Sequence, residues 1–245
     1  MKKRFLSFAL FAAASMIFFG ACGLDTFYTV SPPTTVIHEP VYTSSDFTSN
    51  YFHFRSATNA TSDTSFNFLG TAVYYRIYAS SSTMLSRQSS ISAVNTSSDY
   101  TAAASKLISF GYQQLNTSDG SIQPLISAEG VEVTIRLCNY GEATLENNEY
   151  RARISPITKI PRRSIGNNKT FDFGRYNISK YSGERDMYAP PASGDEDFEA
   201  GTVENNKYYV DMYAVALGRD TTYTTYYSQV LHLGSIPIDA SAENN

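Results

Sequence analysis

Few side chains in this sequence can do metal or nucleophilic chemistry, and their spacing limits them further. The three histidines, His38, His53 and His232, fall on separate predicted strands and share no spacing that would place them on one zinc ion. Cys138 paired with a histidine would need a third group to orient the ring, and none is evident; alternation also puts Cys138 on the outer, polar face of its strand. The run Gly194-Asp195-Glu196-Asp197-Phe198-Glu199 offers carboxylates to calcium but lacks the spaced Asp-x-Asp-x-Asp-Gly pattern, so it reads as a solvated acidic loop. Neither paired carboxylates in a cleft nor a Ser–His pair stands out, which argues against a glycosidase or esterase. The expectation is a protein without cofactor or metal that is not an enzyme.

Binding chemistry is better represented. Residues 151–185 carry nine basic side chains, among them Lys159, Arg162 and Arg163, against one Asp and one Glu. With Arg136 they could form a patch for anionic lipopolysaccharide, glycan or phospholipid through charge-assisted contacts. The bland alternative is a solvated outer face. The turn at residues 219–227 gathers Tyr223, Tyr226 and Tyr227 among threonines. Such surfaces recognise partners at low entropic cost, although one or two of these rings would equally suit the core.

The first 22 residues bear on compartment. Lys2, Lys3 and Arg4 precede an apolar run over residues 5–19, too short for a comfortable membrane span and typical of a signal sequence. Gly20 and Ala21 directly before Cys22 resemble the lipobox of bacterial lipoproteins, and Phe19 in place of the usual Leu resembles the spirochaete-type variant. The resemblance implies cleavage before Cys22, diacylglycerol on its thiol and an acylated amino group. Ordinary cleavage after Ala21, leaving a plain thiol, and a retained anchor helix are the rivals. A lipidated Cys22 leaves Cys138 without a disulfide partner, so an exported domain must stand on its core. The net charge of -4 becomes more negative once the basic n-region is removed, which argues against nucleic acid as a partner.

The elements that must position these residues read as strands. Over residues 207–233, Tyr208, Val210, Met212, Ala214 and Ala216 fall on one face and Tyr209, Asp211, Tyr213, Val215 and Leu217 on the other. A turn at residues 218–222 makes this a hairpin. The Tyr-x-Val-x-Met-x-Ala run with its return strand resembles the last two strands of fibronectin type III and related immunoglobulin-like domains. Residues 68–78, FLGTAVYYRIY, resemble the third strand, with Leu69, Thr71, Val73, Tyr75 and Ile77 on one face. The chain has no Trp where that family expects one on the second strand, so Phe52 and Phe54 would fill its volume.

The expected fold is mainly β: an antiparallel immunoglobulin/fibronectin-like sandwich with a helix-containing insertion after the third strand. Strands are expected at residues 34–38, 50–57, 66–80, 131–139 and 150–154. Val131, Val133, Ile135 and Leu137 would oppose Tyr150, Ala152 and Ile154 inside, with Glu132, Arg136, Arg151 and Arg153 outside. Residues 99–115 carry a helical stripe of Ala104, Leu107, Ile108, Gly111, Tyr112 and Leu115, with Ser98 as N-cap. Residues 156–206 read as loops with at most a short strand at 169–173. The resulting plan is a signal peptide at 1–21, a lipidated tether at 22–30, one domain at 31–238 with an insertion at about 81–206, and a tail at 239–245. In the fold this resembles, the first strand starts at the pole of the loops between strands two and three and between the last two. A short tether would hold that pole to the membrane and leave the insertion helix distal. The functional expectation is a lipid-anchored cell-envelope module, exported and held to a membrane, the outer one being favoured, that binds a protein or glycan. A structural envelope component packing against sibling subunits is the alternative, and a hydrolase the third class.

Overall fold

A computed structural model describes residues 28–44, 46–59, 63–120, 124–138, 151–174 and 188–239. In chain order the elements are β1 (Thr35–His38), β2 (Phe52–Arg55), β3 (Phe66–Tyr78), α1 (Ser81–Ser92), α2 (Ala102–Ser109), β4 (Gln113–Gln114) and β5 (Asn116–Thr117). They continue with β6 (Glu132–Arg136), β7 (Arg153–Ser155), β8 (Pro161–Gly166), β9 (Lys169–Phe171), β10 (Phe198–Glu199), β11 (Lys207–Asp220) and β12 (Thr225–Asp239). The first sheet has the order β1-β2-β6-β7; the second has β10-β3-β11-β12, with β4 on the same edge of β3 as β10; β5-β8-β9 form a small third sheet. The fold is mainly β, and its two principal sheets pack as an antiparallel sandwich. The β10–β3 pair is parallel, and every other strand pairing within the sheets is antiparallel.

The hairpin and the third strand behave as their alternation demands. β11 pairs with β12 on one side and with β3 on the other along nearly its whole length. Between the sheets lie Phe52, Phe54, Val133 and Ile135 from the first, against Val73, Tyr75, Ile77, Val210, Met212, Ala214, Ile236 and Ile238 from the second. Phe52 and Phe54 are fully buried and fill the interior as expected. The second sheet's other face is buried too. Tyr74, Tyr209, Tyr213, Val215 and Leu217 lie under Met84 and Ile91 of α1 and Ala103, Ala104 and Leu107 of α2. The helices therefore run across this outer face as a third layer rather than projecting from one pole.

Several expectations need correction. Leu69 does not share the interior with Val73 and Tyr75; it packs on the helix side. The register slips at Gly70, where Leu217 pairs with Gly70 and Gly218 with Phe68, and one extra residue reverses the alternation. Gly70 sits at φ +136°, and a Cβ there would lie 2.3 Å from the Ile126 carbonyl oxygen, so only glycine fits. The helix at 99–115 is confined to α2, since Gly111 at φ +77° ends it and Tyr112 and Leu115 reach the core from extended chain. Asp99, not Ser98, accepts from the amides of Thr101 and Ala102, both at 3.1 Å. α1 was not expected, because its Ser-rich sequence buries only Met84 and Ile91. Cys138 is buried against Gly174 rather than on a polar outer face, because strand pairing ends at Arg136 and alternation no longer governs it. Within the stretch 81–206, β6 and β7 join the first sheet and supply Val133, Ile135 and Ile154 to the core, the inner positions expected of them. Tyr150 lies outside the described residues.

The pole where the chain enters is as expected. Val30, Ala57, Phe66 and Ala216 form a small cluster there with Tyr28, Phe68 and Tyr226. Tyr28 stacks on Phe66 at 5.0 Å and meets Tyr226 edge-on at 5.6 Å. The start of the described chain thus packs beside the β2–β3 loop and the hairpin. Gly70→Ala is expected to cost about 2–4 kcal/mol, from left-handed backbone strain and overpacking against Ile126; urea unfolding measures it.

Candidate functional site

The basic residues singled out from sequence do not form one patch. Arg163 points inward from β8 and is fully buried. Its Nε donates to Asp197 Oδ2 at 3.0 Å, Nη2 to Asp197 Oδ1 at 2.8 Å and to Asp195 Oδ2 at 2.9 Å, and Nη1 to the Ala189 carbonyl at 3.0 Å. Tyr75 from β3 donates to the same Asp197 at 2.7 Å. This is a clasp between β8, β3 and the acidic segment, so the run 194–199 is not the solvated acidic loop expected: Asp197 is fully buried on Arg163 and Tyr75. Burial and the Asp197 charge together push the Tyr75 hydroxyl well above its ordinary pKa. Arg162 pairs with buried Asp172 at 3.1 Å. Arg136, expected outside, is buried over the Tyr51 ring at 5.0 Å. Neither Arg163 nor Arg136 is available to a surface ligand.

Another part of the basic stretch does form a cleft, of about 350 Å³, lined in part by Ser118, Asp119, Arg151, Arg153, Thr158 and Lys159. Its walls are set by backbone pairing: the Ser118 amide donates to the Ile160 carbonyl at 2.9 Å and the Ile154 amide to Lys159 at 2.7 Å. Lys159 pairs with Asp119 across it and holds that carboxyl below its usual range. Among its described lining residues Arg151, Arg153 and Lys159 are basic and Asp119 is acidic, and a guanidinium fork such as that of Arg153 suits bidentate carboxylate or phosphate contacts.

The tyrosines divide. Tyr226 packs in the N-terminal cluster and Tyr227 on the helix-covered face, so both are partly core. Tyr223 alone projects from the turn, 80% exposed. Cys22 lies outside the described residues.

A cluster that sequence reasoning missed sits under the helices. Asp211, fully buried on β11, accepts from Gln88 at 2.8 Å, from Ser235 at 2.7 Å and from the Tyr112 hydroxyl, and bonds His232 Nε2 at 2.8 Å. The other ring nitrogen of His232 faces Glu39 at 3.8 Å. The signal available in sequence was a lone Asp in an otherwise apolar strand. Both imidazole nitrogens face carboxylates and Ser235 donates to Asp211, so no ring nitrogen is left to activate a nucleophile. Among the described residues no group of three or more His, Cys, Asp or Glu is placed to hold a metal. Burial pulls the His232 pKa down, but the bond and charge of Asp211, with Glu39, outweigh it and raise the value above 6.5.

No protein-family model, curated protein or solved structure matches the chain.

Two outcomes follow from these clusters. Arg163→Met leaves Asp197 buried without its cation and is expected to lose about 3–5 kcal/mol in urea unfolding at neutral pH. Protonated His232 stabilises the fold fully below the unfolded-state value near 6.5, and that contribution fades as pH rises through the higher folded-state value. Thermal scans should show stability falling as pH rises above about 6.5, with His232→Gln flattening that part of the profile.

Proposed function

We propose that this protein is a lipid-anchored, non-enzymatic binding module of the cell envelope, held to a membrane through Cys22 and offering the basic cleft to an anionic group on a glycan. The lipobox resemblance at residues 20–22 supports the anchor. Among the described residues no helix is long and apolar enough to cross a membrane.

The observation that carries the reading is the position of the cleft along the first sheet. β2 ends toward Ala57 at the pole where the chain enters. β6 pairs Glu132 with Arg55 near that pole and carries Arg136 away from it, and β7 pairs Arg153 with Arg136. Arg153 therefore lies at the end of the first sheet away from the pole where the chain enters, which supports a ligand approaching from the side opposite an anchor at Cys22. The exposed Arg153 guanidinium beside the Thr158 and Ser118 hydroxyls would hold a phosphate or carboxylate by charge-assisted bonds, with Asp119 giving up Lys159 to it.

Mass spectrometry of the mature chain should find acyl groups on Cys22; a bare thiol there removes the anchor. Titration with purified lipopolysaccharide and with a neutral glycan should show binding of the first alone. Arg153→Glu with Lys159→Glu should weaken it roughly tenfold or more, the loss of two charge-assisted contacts. Unchanged binding in that double variant removes the cleft as the site.

A further inference from the structure

We infer that Tyr223 is a second contact with the bilayer, an aromatic residue at the tip of the β11–β12 hairpin that sits among the lipid headgroups and sets the domain's orientation on the membrane. The inference rests on acylation of Cys22 as proposed above.

The local geometry shows a side chain held outward on a rigid frame. The Tyr223 amide donates to the Asp220 carbonyl at 3.1 Å and the Asp220 amide to the Thr224 carbonyl at 3.1 Å. This is a three-residue hairpin loop whose last position must be left-handed, and Tyr223 occupies it at φ +67°. Glycine or asparagine meets that requirement at less cost, so a tyrosine here does not serve the fold. Asp220 Oδ1 accepts from the Thr222 and Thr224 amides, both at 2.9 Å, and from the Thr222 hydroxyl at 2.7 Å, which fixes the turn. A ring with 80% exposure at the end of such a frame is available to a partner.

The chain's covalent geometry says which partner. Tyr28 is docked on Phe66 and Tyr226. Only Gly23–Phe27 separates it from Cys22, a span of at most about 20 Å when extended. Tyr226 is three residues from Tyr223, at most about 10 Å along the strand. A lipid on Cys22 therefore keeps the hairpin tip within reach of the bilayer, with no room for a large protein between them. Tyrosine suits that boundary, since its ring partitions below the headgroups while its hydroxyl stays hydrated. Acyl chains already supply affinity; the ring supplies a second point of contact, and two points restrict tilt where one does not.

The chain has no Trp, so a single indole reports on one position. Full-length acylated Tyr223→Trp protein is placed on phosphatidylcholine vesicles with brominated acyl chains and compared with Ile108→Trp. Ile108 is half-exposed on α2, near Gly111, whose carbonyl accepts from Arg76 toward the far end of β3. The Tyr223→Trp emission should shift to the blue and lose most of its intensity to bromine, and the Ile108→Trp emission should change in neither respect. Thr221→Trp, exposed in the same turn, gives the same reading if the strained position does not accept an indole. Protein that floats with the vesicles while neither turn indole is quenched overturns the contact and leaves the anchor intact. Equal quenching at Ile108→Trp overturns the orientation. Protein that does not float, and carries no acyl group by mass spectrometry, overturns the anchor and the inference with it.

Discussion

The constraint on which the rest of the molecule depends is that its central sheet is buried on both faces. On β11, every residue from Tyr209 to Leu217 is shielded from solvent. A sandwich strand ordinarily keeps one face for water and alternates polar with apolar. Here the alternation is between two apolar environments, one facing the first sheet and the other facing α1 and α2. Each fully buried Val or Met on these faces contributes about 1.5–3 kcal/mol. That is why an otherwise weak helix such as α1, with two buried side chains, stays folded against the sheet: it covers a surface that cannot be left open.

Burial on both faces makes polar atoms in the sheet expensive, and the abundance of tyrosine is one answer. Tyr75 presents its ring to the inner core and its hydroxyl to Asp197; Tyr112 presents its ring to the helix side and its hydroxyl to Asp211. Asp197 and Asp211 are thus each met by a phenolic donor as well as by a cation or imidazole. The arrangement also pins irregular chain. Asp197 belongs to the segment just before β10, and its tie to Arg163 and Tyr75 fixes that segment against β8 and β3. On the other side Arg76 and Arg87 share Glu199, at 3.2 and 2.9 Å, joining β3, α1 and β10. A connection with little hydrophobic content is held in place by charges, because it has few apolar side chains to do so.

How far the sequence foretold this follows from which signals were local. The hairpin and the third strand were legible because period-two alternation of Tyr, Val, Met and Ala survives burial on both faces, and they pair as expected. Phe52 and Phe54 were legible as a substitute for a missing Trp. β8 was not, since its sequence PRRSIG has no apolar alternation and its inward side chain is an arginine whose partners lie over 30 residues away. The same long-range pairing turned Arg163 from an expected surface residue into a buried one. The cleft drew on three of the basic residues in the stretch, but which three depended on how the chain at Lys159 and Ile160 bonds Ile154 and Ser118, and spacing does not encode that. Gly70 reversed the face of Leu69 by a single bulge, which alternation alone cannot anticipate.

The joint at the entry pole decides whether an anchor would transmit orientation or only proximity. A flexible tether on an otherwise unattached domain fixes distance and leaves rotation free. Here Tyr28 is clamped by rings from two other segments, Phe66 at the head of β3 and Tyr226 at the foot of β12, and its hydroxyl bonds Ser65 at 2.6 Å. Val30 lies buried in the same cluster. Rotation about Tyr28 would have to break aromatic contacts worth about 0.5–1.5 kcal/mol each beyond their buried area. The described chain is therefore clamped from Tyr28 onward, and the hairpin is fixed relative to that residue through Tyr226. The long β11–β12 ribbon then acts as a strut: its tip lies at the entry pole, and the two sheets extend from that pole toward the end that carries Arg153. A domain built this way, if held at its entry pole, would present a defined end to whatever lies opposite that pole.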